Sequence, residues 1–458
     1  MRIDESIAPA SLADRLQTFW RLSGRKVQSI QREYDHAKGS PVYTAEGRYT
    51  TRGWTEWTQG FEFGSALIQF DATGEESFLQ AGRDGTLAHM AKHVTHTGVH
   101  DHGFNNVSTY GALLRLLAEG RIDGDDWQRA FYEMALKASG AVQASRWVAI
   151  ADGGGYICSF NGPHSLFADT IRSCRALAVA HRLGHVLQGE GDVEISLLGR
   201  LIEHARATAR YNVYFGEGRD AYDIPGRVAH ESVFNLNDGK YRCPNSQQGF
   251  SPFTTWTRGL AWVMVGFAEE LEYLDVLDDE ELMPHGGRQQ IEGEFLRAAR
   301  ATCDFYIDHT PTDGVPYWDT GAPGLAAMPD WRDRPSDPCN DHEPIDSSAA
   351  AIGCQGLLRL GHRLGADGPG KPYFQAGLTT LNTLLGEPYL STDENHQGLI
   401  LHSLYHRPNG WDCTPPGQQV PCGESSMWGD YHAREAALYV QRLIDGGEYL
   451  TFFRGAEA

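Results

Sequence analysis

The chain has 458 residues, 41% hydrophobic and 11% aromatic, and its 39 Lys and Arg against 60 Asp and Glu leave a net charge of −21. This acidity argues against nucleic acid and anionic membrane surfaces as partners, and an anionic ligand needs a local basic or hydrogen-bonding pocket. No apolar run approaches the ~20 residues of a membrane span and no basic-then-apolar leader opens the chain, so a cytoplasmic protein is expected.

Helix-period segments follow one another along the chain. They cover 11–24, 61–71, 76–92, 104–119, 125–140, 165–184, 192–211, 258–274, 293–309, 346–364, 370–386 and 430–444. Asp346-Ser347-Ser348 before an apolar run is an N-cap cluster, and Gly184 and Gly365 stand where helices would end. Strand signals are few, the best at 213–215 and 228–236. No Pro- or Ser-rich linker divides the chain, so residues 1–458 are read as a single domain. Twelve helices in one domain predict an all-α (α/α)6 barrel, in which six inner helices line a central pocket. An open solenoid would show a shared repeat, and the segments have none. The loops 215–257, 311–345 and 387–428 exceed the usual ~12–15 residues and are rich in Trp, Tyr, His, Asp and Pro, so they read as one decorated rim. The eight cysteines are scattered singly; buried free thiols are the expectation, with Cys413 and Cys422 the one pair placed to be bridged.

Three constellations carry chemistry. His100-Asp101-His102 precedes the 104–119 helix, so Asp101 is either an N-cap or a reactive carboxylate at a helix mouth. His93, His96, His100 and His102 match no familiar zinc spacing, and no metal is expected. Asp169, read within a helix, shares a face with Leu166, Ser173 and Leu177; buried there it either pairs with Arg172 or Arg175 or has its pKa raised, as a general acid requires. Asp101 and Asp169 together make an acid/base pair suited to sugar chemistry. His230, Gln247, Gln248 and Phe250 lead into Trp256, Arg258 and Trp262 at the start of the 258–274 helix. An Arg between two indoles suits a flat, anionic sugar, and equally suits a packed core with an internal ion pair. Gly153-Gly154-Gly155 lacks the spacing of a phosphate-binding loop.

Taken together, these motifs resemble glycoside hydrolase family 88, the unsaturated glucuronyl hydrolases. The matching segments are Trp57-Thr-Gln-Gly-Phe61, His100-Asp101-x-Gly-Phe104, Asp169, His204-Ala205 with Thr208, His230 and Gln247-Gln-Gly-Phe250. Trp256-x-Arg-Gly-x-Ala-Trp262, Tyr317-Trp-Asp319, Asp346-Ser-Ser-Ala-Ala-Ala351 and Trp428-Gly-Asp-Tyr431 complete the set. The resemblance implies an (α/α)6 barrel that removes a 4,5-unsaturated uronic acid from the non-reducing end of lyase-generated oligosaccharides. Hydration of the C4=C5 bond starts the reaction, with no metal or cofactor. It implies that Asp169 is the acid/base, Asp101 the second essential carboxylate, and His100, His230, Gln248, Arg258 and Trp262 sugar contacts.

The sequence also departs from that pattern. Glu62 stands where many relatives carry a substrate-stacking Trp, so it either points away or changes the pocket. The 158–164 segment lacks the family's Trp-bearing loop, and 408–422 lacks the Ser and Lys pattern of sulfate-tolerant relatives. An unsaturated rhamnogalacturonyl hydrolase and a non-catalytic carbohydrate-binding toroid are the alternatives.

Overall fold

An amphipathic helix is stable only when its apolar stripe is covered, and among the described residues twelve longer helices cover one another in two concentric layers. The computed structural model describes residues 1–53 and 56–456. The helices are α1 (Ala13–Glu33), α2 (Gln59–Thr73), α3 (Glu76–His89) and α4, a π-helical stretch Gly103–Gly111 running into Ala112–Ala118. Next come α5 (Asp126–Ala144), α6 (Thr170–Ser173 and Arg175–Arg182), α7 (Leu197–Tyr211) and α8 (Thr257–Leu274). The last four are α9 (Arg288–Asp308), α10 (Ser347–Arg363), α11 (Lys371–Leu384) and α12 (Met427–Asp445). Even-numbered helices touch in the order α2, α4, α6, α8, α10, α12 and back to α2, which closes an inner ring; odd-numbered helices pack outside it. This is the expected (α/α)6 barrel. Every residue of α8 is buried, as a helix enclosed on all sides requires.

A glycine sits at each of the six inner-ring joints. A Cβ on Gly60 of α2 would lie 2.4 Å from Asn105 Cα, and one on Gly103 of α4 would lie 2.1 Å from the Ser173 carbonyl. Gly266 meets Ile171, Gly356 meets Met264, Gly429 meets Ser348, and Gly64 meets Tyr431 in the same way. The ring closes this tightly because no side chain intervenes at those points. The helix ends follow their caps. The Asp346 carboxylate accepts from the Ser348 N–H at 3.0 Å, and the Ser426 hydroxyl accepts from the Gly429 N–H at 3.1 Å. Gly184 and Gly365 take the left-handed conformation just past α6 and α10, as read from the sequence.

Two predicted helices start too early: 192–211 begins at Leu197, after a Glu194–Ile195 strand, and 165–184 begins at Thr170. Ser165–Phe167 is a strand, paired antiparallel with Glu231–Phe234, which pairs in turn with Tyr241–Asn245. Its alternation was hidden because all three of its residues are buried. Asp169 therefore lies at the mouth of α6, ahead of its first turn, and does not share a helix face with Leu166. The 213–215 strand signal reduces to a single bridge between Val213 and Val228. All eight cysteines are free, including Cys413 and Cys422.

Candidate active site

The inner helices begin at one end of the barrel, and their N-termini converge on a cavity of about 370 Å³. Its walls include Trp57 ahead of α2, His100 and Asp101 ahead of α4, Asp169 at the start of α6, and Trp256, Arg258 and Trp262 at the start of α8. Trp428 at the start of α12 stacks on Trp57 with ring centroids 4.9 Å apart. Helix N-termini present unpaired N–H groups and partial positive charge, so this mouth favours an anion although the chain as a whole is acidic.

His100 joins the two aspartates. Its Nε2 lies 3.3 Å from Asp169 Oδ2 and 3.6 Å from Asp101 Oδ1. In the neutral ring Nδ1 accepts from the Phe160 N–H at 3.3 Å, which leaves the proton on Nε2, facing the carboxylates. Burial pushes the His100 pKa down, but Asp101 and Asp169 outweigh it and hold the pKa above the ordinary 6.5. Burial raises the Asp101 pKa, and the Asp169 charge adds to that. Burial acts the same way on Asp169, yet its hydrogen bond and charge interaction with His100 bring it below the ordinary value. The expectation of a raised pKa on Asp169 is thus reversed: Asp101 is the carboxyl that keeps its proton longer. Asp169 Oδ1 is buried with no partner among the described residues.

The alternative roles read for the two aspartates also fall away. The Asp101 side chain caps no helix; His102 occupies the N-cap position of α4. Asp169 does not pair with Arg172 or Arg175, which bind Glu269 and Glu435 deeper in the barrel. Arg172 is 3.0 Å from Glu269 and 2.7 Å from Glu435, and Arg175 is 3.5 Å from Glu269. The Arg172 guanidinium lies under the Trp262 ring at 5.9 Å, so this charged layer is the floor beneath the cavity. The neighbouring histidines diverge: His93 bonds Gln59, and His102 bonds Ser139 and the His96 carbonyl. Among the described residues no His, Cys, Asp and Glu group has the arrangement of a metal site.

Arg258 is 1% exposed and both of its terminal nitrogens are engaged. Nη1 donates to Asp346 Oδ2 at 3.0 Å and to the Leu404 carbonyl; Nη2 donates to Gln248 Oε1 at 2.9 Å and to the Tyr405 carbonyl at 2.6 Å. Trp256 and Trp428 lie against its guanidinium at 4.7 and 4.9 Å. Arg258 therefore ties Gln248 and the 404–405 backbone to the start of α10, and the internal ion pair considered from the sequence is present. Gln248, Arg258 and Trp262 line the cavity with the aspartates, while His230 stands just behind the wall. His230 Nδ1 accepts from the Gln247 and Gln248 N–H groups at 3.0 and 3.3 Å, and burial keeps the ring neutral with its pKa down to about 4. Phe250 is 50% exposed and turned outward.

Glu62 points away from this cavity, into a second one of about 380 Å³ between α1 and α3, where it bonds His36 at 2.7 Å. Phe160, Asn161, Tyr405, His406, Asn409 and Trp411 complete the walls of the site cavity. None of them was singled out from the sequence, although the aromatic richness of the 387–428 rim pointed to the last four.

No family model matches the chain. It is 25% identical over 426 residues to an unsaturated glucuronyl hydrolase of Bacillus sp. (strain GL1), across 89% of this chain and 92% of that one. That enzyme's crystal structure superposes with a TM-score of 0.69, covering 93% and 97% of the two chains at 22% identity. An unsaturated chondroitin disaccharide hydrolase of Streptococcus pyogenes serotype M1 is 23% identical over 407 residues, 86% of this chain and 84% of its own. An unsaturated glucuronyl hydrolase specific for heparin superposes with a TM-score of 0.71 at 19% identity, covering 94% and 98%.

Proposed function

Because this chain belongs to the unsaturated glucuronyl hydrolase family, glycoside hydrolase family 88, we propose that it removes a 4,5-unsaturated uronic acid from the non-reducing end of lyase-generated oligosaccharides. The observation that carries the assignment of roles is the buried His100–Asp101–Asp169 set at the end of a tryptophan-walled cavity. Vinyl-ether hydration needs one proton delivered to C4 and one removed from the water that attacks C5. A carboxyl that exchanges its proton with close neighbours can serve both steps. Asp169, which lines the cavity within hydrogen-bond reach of His100, is the group in our reading that faces the reacting carbons. Bringing the uronate carboxylate beside it raises its pKa through like-charge repulsion, so the proton held on Asp101 or His100 shifts to Asp169 as substrate enters. Water then adds at C5, the resulting hemiketal opens, and the exposed hemiacetal at C1 releases the aglycone alcohol, with one water consumed overall.

His100, Gln248, Arg258 and Trp262 act in this scheme as the sugar-facing and wall-forming residues, and His230 supports Gln248 from behind. Trp262 offers an apolar ring face, and Arg258 holds Gln248 against the cavity. The test is Asp169→Asn with an unsaturated glucuronyl disaccharide, following loss of the enol-ether absorbance. Removing a general acid/base costs roughly 10²–10⁴-fold in rate, so turnover in the variant should fall by at least that much while its circular dichroism stays unchanged. Full activity in Asp169→Asn would sink the assignment.

A further inference from the structure

The rim of the site cavity contains a group of amides with no obvious part in proton transfer. Glu231 is fully buried on the Glu231–Phe234 strand, directly opposite Asn245 on the next strand. Its Oε1 accepts from Asn161 Nδ2 at 2.8 Å, and its Oε2 accepts from Asn245 Nδ2 at 2.6 Å and Gln247 Nε2 at 3.4 Å. No Lys or Arg pairs with Glu231 among the described residues, so three amides carry its solvation.

A carboxylate only accepts hydrogen bonds. Each amide must therefore turn its NH₂ toward Glu231 and its C=O away. Asn161 and Gln247 line the cavity, and neither Asn161 Oδ1 nor Gln247 Oε1 receives a hydrogen bond from the described residues. Both residues are pinned at the backbone as well. The Gln247 N–H bonds His230 Nδ1 at 3.0 Å, the Asn161 N–H bonds Ser159 Oγ at 3.1 Å, and the preceding Phe160 N–H reaches His100. At this edge of the cavity the amide orientation thus leaves two carbonyl acceptors without a donor among the described residues, in front of a carboxylate that no Lys or Arg there compensates.

We propose that this Glu231-oriented amide edge selects a saccharide that presents hydroxyl or N–H donors there and turns away one that presents a sulfate. A hydroxyl donates to either carbonyl. A sulfate ester offers only acceptor oxygens and brings a negative charge toward Glu231, so it loses both the hydrogen bonds and the favourable potential. Glu231 is a positioning residue in this scheme, acting through Asn161 and Gln247. The inference rests on the uronyl hydrolase reading above and deepens it by naming the substrate class.

The test compares kcat and KM for an unsulfated unsaturated chondroitin-type disaccharide with its counterparts sulfated at the uronate 2-oxygen and at the hexosamine 6-oxygen. In the native enzyme, kcat/KM for the unsulfated substrate should exceed that for at least one sulfated form by roughly tenfold or more, mostly through KM. Glu231→Gln gives one amide a donor to answer, so that amide turns its NH₂ to the cavity; the ratio should shrink by at least about threefold while kcat on the unsulfated sugar changes less than KM. Asn161→Ala removes one carbonyl together with the Nδ2 bond to Glu231 while keeping the carboxylate itself, and it should shrink the same ratio. Because each ratio is measured on one folded sample, loss of stability alone leaves it unmoved. A native enzyme that takes both sulfated sugars as well as the unsulfated one overturns the proposal, as does an unchanged ratio in both variants. If the native enzyme turns over no unsaturated disaccharide at all, the functional reading itself fails and this inference falls with it.

Discussion

Replacing Arg258 by Ala separates two jobs that the sequence left joined. The guanidinium is buried against an equally buried Asp346, and it also serves two backbone carbonyls and Gln248. Removing one partner of a buried ion pair leaves the other charged and unpaired, which costs about 3–5 kcal/mol. With an unfolding entropy of about 2.1 cal/mol/K per residue over 458 residues, roughly 1 kcal/mol/K, the Tm should drop by about 3–5 °C if the barrel unfolds as one unit. Differential scanning calorimetry reads this directly. Adding Asp346→Asn to Arg258→Ala should recover part of the loss, because the stranded charge is gone while an Asn side chain can still cap α10. The activity change should track Gln248, which loses its 2.9 Å donor, and should appear in KM. An Arg258→Ala enzyme with an unchanged Tm and a raised KM would refute the structural role and restore a freely offered anion clamp.

Other outcomes follow from burial and contact. Glu270 is buried with neither oxygen partnered among the described residues, and burial, then the Glu269 charge, raises its pKa well above the ordinary 4.5. The unfolded chain ionises near that value while the fold keeps the proton, so stability falls as pH rises from about 4.5; Glu270→Gln should match the native Tm at pH 4 and exceed it at pH 8. Gly103→Ala puts a Cβ 2.1 Å from the Ser173 carbonyl, which must push α4 from α6 and part His100 from Asp169. We expect a loss of about 1–3 kcal/mol in denaturant unfolding and at least tenfold in kcat/KM, whereas Gly293→Ala on α9, with open space around it, should be neutral or stabilising. By NMR the His100 imidazole should titrate above pH 6.5 in the native enzyme and at lower pH in Asp169→Asn, since an amide does not hold the imidazolium; equal pKa values would contradict the bridging role.

The helices were legible because each keeps an apolar stripe at helical spacing, whether it lies inside or outside the ring. Asp101 was legible as a carboxyl at a helix mouth and Asp169 as a buried carboxyl, though one placed inside a helix; the sign of their pKa shifts was not legible. That sign depends on His100 leaning toward Asp169 at 3.3 Å, and no spacing in the chain encodes it. The Ser165–Phe167 strand was misread because its partner lies more than sixty residues downstream and both of its faces are covered. Glu231 gave no signal as a site residue, and Asn161 only the departure of its 158–164 segment from the family pattern. They are ordinary polar residues until the sheet sets one beside the other.

Among the described residues, the Arg172–Glu269–Glu435 layer closes the inner end of the cavity. Nothing the size of a sugar ring passes between those paired side chains, so the bore that a ring of helices might suggest is stoppered a few ångströms below Trp262. A polysaccharide cannot be threaded through such a site; only the tip of a chain can be inserted. The released uronate must leave by the route it entered, after the aglycone has backed out. Turnover in this enzyme is then a matter of queueing at a single entrance, and short products that linger at the rim will compete with the next chain end.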